Sequence, residues 1–152
     1  MTERSQKARD YFLQGYNCTQ AVVLAYCDEL GLDRSVALKF ASSFGGGMGR
    51  LREVCGAISG IFMVAGMLYG YDDPKDKQAK AALYAKIQEL AARSKAQNGS
   101  IVCRELLGLS EHKSDPTPDE RTPAYYKKRP CPDLVAAAVQ ILDDFIAEQK
   151  NS

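Results

Sequence analysis

The 152-residue chain has little of what usually announces a ready-made catalytic site. Its only histidine, His112, stands between Glu111 and Lys113, where a solvated loop residue belongs more naturally than a ligand or general base. No Cys-x-x-Cys occurs, so neither a thioredoxin-type dithiol nor a zinc ribbon is signalled by spacing. A Ser/His/Asp set has no local signature. Charge of one sign is lacking too: 20 basic residues face 19 acidic ones, and a net charge of +1 leaves no field to recruit nucleic acid or an anionic membrane. The basic run Tyr125-Tyr126-Lys127-Lys128-Arg129 is short enough to read as a solvated loop, so no nucleic-acid partner is expected. There is no β-rich alternation and no internal repeat, which points to an all-α single domain of about six helices. The opening segment lacks the apolar core of a signal peptide, and a cytoplasmic setting with reduced thiols is expected.

What is present centres on residues 45–71. The glycine-rich loop Gly45-Gly46-Gly47-Met48-Gly49-Arg50 runs into Cys55-Gly56-Ala57-Ile58-Ser59-Gly60, and no charged residue occurs from Val54 to Tyr71. A stretch this apolar and glycine-rich needs neighbours on most sides, which predicts a central buried helix. Gly56, Gly60, Gly66 and Gly70 recur at four-residue spacing and predict a face of close approach. A membrane span is the competing reading of so apolar a run. It is disfavoured by the charges at Arg50, Arg52 and Glu53, by the missing aromatic belt, and by the amphipathic remainder, which would lose its core partner. Gly45–Arg50 resembles a phosphate loop only superficially, because no strand precedes it and no Gly-Lys-Ser/Thr follows. With 45% hydrophobic residues, one compact domain of this length buries about 68 to 70% of its unfolded surface and needs no crosslink to fold.

Taken in order, a first helix is predicted over about Glu3 to Gln14, ending at Gly15. Asn17 and Gln20 form a capping-box pair for a second, which Gly31 ends. Asp33 caps a third with a buried stripe of Val36, Ala37, Phe40, Ala41 and Phe44. Beyond the central helix, Asp73-Pro74 opens a long amphipathic helix with Ala79, Leu83, Ile87 and Leu90 at helical spacing, running to Asn98-Gly99. A short helix follows Ser100, and a last one begins near Cys131-Pro132. Between them, residues 111–130 carry four prolines among polar residues and read as a long surface loop.

Four of the five cysteines, Cys18, Cys55, Cys103 and Cys131, fall at or near predicted helix starts, the ends with free amide donors and partial positive charge. That placement favours thiolate, but one exposed helix end contributes about 0.3 to 1 kcal/mol, less than one pKa unit. Converging donors from Gly45, Gly46, Gly47 and Gly49, the cations of Arg50 and Arg52, or a metal ion would have to supply the rest. Cys27 lies mid-helix and reads as core filler.

In order, Gly15-Tyr16-Asn17-Cys18-Thr19-Gln20-Ala21-Val22, Phe44-Gly45-Gly46-Gly47-Met48-Gly49, Cys55-Gly56-Ala57-Ile58-Ser59-Gly60 and the single cysteines Cys103 and Cys131 resemble the C-GCAxxG-C-C family of redox-active proteins. The resemblance spans nearly the whole chain, leaves Cys27 outside the pattern, and implies a redox role for the four matched cysteines without specifying a reaction. Two forms of one centre are open: reversible disulfides, or thiolate ligation of an iron–sulfur cluster by Cys18, Cys55, Cys103 and Cys131. Either form needs a redox partner protein. The alternatives from other classes are a structural zinc module whose exposed loop at 111–130 recruits a partner, and a helical scaffold that pairs into a homodimer.

Overall fold

The computed structural model describes residues 1–151. Among them lie six helices of eight residues or more: α1 (Glu3–Leu13), α2 (Cys18–Leu30), α3 (Arg34–Ala41), α4 (Gly56–Tyr69), α5 (Lys77–Asn98) and α8 (Cys131–Lys150). Two short ones, α6 (Cys103–Leu106) and α7 (Pro123–Lys128), complete the set. The domain is all-α, and among the described residues no helix is long and apolar enough to cross a membrane.

α4 is the central element. It packs on α2, α5 and α8 and buries Ile58, Ile61 and Val64, each of which stabilises the fold by about 1.5 to 3 kcal/mol. α1 lies against α2 and α8, and Phe12, Tyr26, Leu142 and Phe145 close the main core. A smaller core of Val23, Leu24, Cys27, Ala37 and Ala41 forms between α2 and α3. The Asn17–Gln20 capping box forms as the sequence predicts: the Gln20 N–H donates to Asn17 Oδ1 at 2.8 Å, and the Asn17 N–H donates to Gln20 Oε1 at 3.1 Å. Asp33 caps α3 through the Val36 N–H, and Gly31 closes α2 in the left-handed conformation.

Several expectations are corrected. In α3 only Ala37 and Ala41 are buried; Val36 and Phe40 point outward, because α3 packs chiefly on α2 through its other face. α5 is capped by Asp76, not Asp73, and the Asp73-Pro74 pair belongs to the preceding turn. Of the four spaced glycines in the central helix, Gly56 and Gly60 meet α2, where an added Cβ at Gly60 would lie 2.8 Å from Val22 Cβ. Gly66 has open space beside it, and Gly70 lies past the helix end, crowded only by its own chain at Gly66. Residues 111–130 lie at the surface as expected, but they contain the short α7 and are tied to the body through Arg121.

The glycine-rich loop takes an unusual form. Gly46, Gly47, Met48, Gly49 and Arg50 all have φ between 60° and 71°, making one left-handed turn in which the Gly49 N–H donates to Gly45 O at 3.0 Å. Such a turn costs roughly 1 to 2 kcal/mol at each residue with a side chain, which accounts for three glycines among the five. The turn is pinned to its surroundings: an added Cβ at Gly47 would lie 2.6 Å from Cys103 Cβ and 2.9 Å from Arg52 Cα.

Candidate functional site

Three tethers bring the helix starts together. The Thr19 hydroxyl, buried, donates to Gly56 O at 2.8 Å and fixes the start of α2 on the start of α4. Val54 and Val102 form an antiparallel bridge, with the Cys55 N–H donating to Ile101 O at 2.7 Å and the Cys103 N–H to Glu53 O at 2.5 Å. The residues that follow this bridge are Cys55 and Cys103, so α4 and α6 begin side by side. Arg121, from the strap before α7, donates to Phe12 O at 2.7 Å and Tyr16 O at 3.1 Å while its guanidinium stacks 3.9 Å from the Phe12 ring centroid. That contact draws the strap and the start of α8 across the same region.

The result is a cavity of about 300 Å³ walled by Cys18, Cys55, Cys103 and Cys131. Each occupies a helix start, Cys55 as the residue before α4 and the other three as first residues of α2, α6 and α8. All five cysteines are free thiols, and Cys27 lies apart in the smaller core. Among the described residues no group of three His, Cys, Asp or Glu side chains converges closely enough to hold one metal ion. Gly45, Gly46, Gly49 and Arg50 also face the cavity. Gly47 does not; it is buried behind Cys103, where only a hydrogen fits.

The expected bias toward thiolate is reversed at three positions. Burial pushes the Cys18 thiol up, against the opposing backbone N–H groups of Gly46 and Thr19. Burial also raises Cys55, helped by the negative charge of a Cys18 thiolate, although the Ile58 and Ala57 amides face its sulfur. Cys131 is pushed up to about 12, again by burial first and then by Cys18 and Cys103, with Arg129 and Arg121 opposing. Desolvation therefore outweighs helix ends.

Cys103 has a different neighbour. Arg52, 4% exposed and in the left-handed region at φ 60°, donates its Nε–H to Ser114 Oγ at 2.9 Å and directs Nη1 to Cys103 Sγ at 3.7 Å. A buried cation on a sulfur is the counter-charge that a thiolate there would require. Glu53, the residue after it, pairs instead with Arg104 at the surface. Arg50 donates Nε–H to Asp115 O and Nη1–H to Asp119 Oδ2, so the strap is held on both sides of the cavity. Nothing local in residues 111–130 marks Arg121 or Arg129 as cavity residues, because their partners lie over 100 residues away or on the strap itself.

No curated protein and no solved structure matches the chain. A family does: residues 16–145 match the one described as "Putative redox-active protein (C_GCAxxG_C_C)", over a span that takes in all four cavity cysteines and the strap. The chain belongs to this redox-active C_GCAxxG_C_C family.

Proposed function

We propose that Cys18, Cys55, Cys103 and Cys131 form one redox centre that works by reversible disulfide formation, with Cys103 reacting first. The observation that carries this reading is the convergence of four cysteines from four separate helix starts on one cavity, with a buried arginine on one sulfur and the fifth cysteine elsewhere. Thiol–disulfide exchange needs one attacking thiolate and a leaving sulfur. Arg52 provides the positive charge beside Cys103, while burial keeps the Cys18, Cys55 and Cys131 protons in place until a partner sulfur is engaged. In the net step two protein thiols become one disulfide, and the two electrons and two protons reduce a disulfide on a partner to two thiols. Enclosure under the strap protects the sulfurs from solvent oxidants and confines exchange to partners that reach the cavity.

One observation favours a second reading. Open space, not packed sulfur, lies among the four cysteines, and a four-cysteine donor set around such a space suits an iron–sulfur cluster. Cys18, Cys55, Cys103 and Cys131 would be its ligands, and the cluster would supply one-electron transfer. Ligation would require all four sulfurs as thiolates, against the burial that raises three of them.

The test is differential alkylation mapped by mass spectrometry on protein purified without oxygen, with iron, sulfide and zinc measured in the same sample. Disulfide chemistry requires free-thiol loss confined to the four cavity cysteines on mild oxidation, reversed by reductant, in a colourless protein. Stoichiometric iron and sulfide would move the assignment to a cluster. Tightly held zinc with no redox response would leave a structural module, and unchanged thiols with no metal would remove the redox reading altogether.

A further inference from the structure

The wall of the thiol cavity is charged in one sense. Arg50, Arg52, Arg121 and Arg129 line it, and Asp119 is the one carboxylate among the lining residues. Asp119 is shared, taking Arg50 Nη1 at 3.2 Å and Arg129 Nη2 at 3.4 Å, so a single negative charge serves two cations. Arg121 is satisfied by the neutral carbonyls of Phe12 and Tyr16, and Arg52 by the Ser114 hydroxyl and a sulfur. Arg129 Nη1 is buried and has no hydrogen-bond partner among the described residues. A chain with a net charge of only +1 thus concentrates surplus positive charge on the one cavity that holds its grouped cysteines.

Depth orders these groups. Cys103, Cys55 and Arg52 are 6%, 7% and 4% exposed, whereas the side chains of Arg50 and Arg129 are 18% and 19% exposed and stand nearer solvent. Planar guanidinium groups recognise carboxylates through paired N–H donors, and in a partly desolvated site such charge-assisted contacts are stronger than at an open surface. A volume of about 300 Å³ suits a small molecule and excludes a folded domain.

We infer that the cavity takes a small disulfide bearing carboxylates, which Arg129 and Arg50 hold near the mouth while its sulfurs reach Cys103. The inference rests on the disulfide reading of the four cysteines. In the first step the Cys103 sulfur attacks one sulfur of R–S–S–R, the S–S bond breaks, a Cys103–S–S–R mixed disulfide forms, and R–S⁻ leaves with the proton given up by Cys103. In the second, another cavity cysteine attacks Cys103 Sγ, releasing the second R–SH and leaving one protein disulfide. Two thiols are oxidised and one external disulfide is reduced to two thiols, so atoms and electrons balance. Arg129 is a binding residue in this scheme and takes no part in bond making.

The experiment compares three probes on the reduced full-length protein: dithiodipropionate with two carboxylates, bis(hydroxyethyl) disulfide without charge, and cystamine with two ammonium groups. Thiol release is followed by stopped-flow. The anionic probe is expected to react fastest, by on the order of tenfold over the neutral one, with an advantage that shrinks as salt rises. Arg129→Gln should bring the ratio of the anionic to the neutral probe's rate down towards one, and Arg129→Lys should restore part of that ratio. Suberate, a dicarboxylate of the same length without sulfur, should bind by calorimetry and slow the anionic probe competitively. Equal rates for all three probes with no suberate binding would overturn the inference and leave the thiol reading standing. Suberate binding with no reaction at any disulfide would instead remove the thiol reading and the sulfur part of the ligand class with it.

Discussion

Replacing Gly60 by Leu probes the packing that brings the cavity together. Gly60 sits mid-α4 and is buried; a Cβ built there would lie 2.8 Å from Val22 Cβ, 2.9 Å from Val22 Cγ1 and 3.3 Å from Thr19 O. Carbon atoms pack at about 3.5 to 4.0 Å, so the Cβ alone overlaps α2 before the three further carbons of Leu are placed. α2 cannot easily withdraw, because Val22 is fully buried and the Thr19–Gly56 hydrogen bond pins the two helices one turn away. Leu gains somewhat less than about 1 kcal/mol over Gly in helix propensity, and overpacking costs about 1 to 3 kcal/mol or more, so the second effect wins. Urea denaturation is expected to show a net loss of about 1 to 3 kcal/mol with an unchanged slope. Val22→Ala supplies the control, since it removes the Cγ1 contact at 2.9 Å while keeping Cβ: alone it should cost about 1 to 3 kcal/mol, yet combined with Gly60→Leu it should cost somewhat less than the sum. A midpoint that stays level or rises in Gly60→Leu would refute the close approach of α4 and α2.

Gly47→Ala combines positive φ with a Cβ 2.6 Å from Cys103 Cβ, so a loss of roughly 2 kcal/mol or more is expected in the same assay, with faster alkylation of Cys103 as its surroundings loosen. Cys27→Ala should incur only a packing cost of about 1 kcal/mol and leave the oxidised-thiol map of the other four unchanged, because Cys27 lies in the separate α2–α3 core. Stability should also fall in alkali through Cys131. Its proton is held up to about 12 in the folded protein against an ordinary 9.0, so between these values the unfolded state releases the proton while the folded state keeps it. Stability from this group is therefore fully present below pH 9.0 and declines as pH rises towards 12, by at most about 1.4 kcal/mol per pH unit. Cys131→Ser, which does not titrate there, should flatten that decline in denaturation curves collected across the range.

Local chemistry made much of the framework legible. Asn17 with Gln20, Asp33, and the glycines ending α2 and α5 mark helix ends through hydrogen bonds made within four residues, and these hold. The apolar run after Cys55 demands a buried helix wherever it lies in the fold, and α4 is that helix. Burial in α3 could not be read the same way, since periodicity gives the face of Val36 and Phe40 but not whether a neighbour covers it. Polarity and prolines described residues 111–130 correctly as lacking a core stripe, yet the strap is fastened by Arg121 to carbonyls of the first helix and its following turn, contacts without sequence spacing. The cysteines split the same way. Their helix-start positions were visible, but their protonation depends on how deeply four elements enclose them, which only the assembled fold determines.

In the proposed centre four cysteines act as a unit and the fifth does not. Redox titration of the intact protein, repeated with Cys18, Cys55, Cys103, Cys131 and Cys27 each replaced by Ser and read as free thiols against ambient potential, tests it directly. Cys103→Ser is expected to abolish the transition, the other three cavity substitutions to abolish or strongly shift it with effects that do not add, and Cys27→Ser to superimpose on the unmodified protein. A transition that survives loss of Cys103, or one that Cys27→Ser moves as far as the cavity substitutions do, would contradict it.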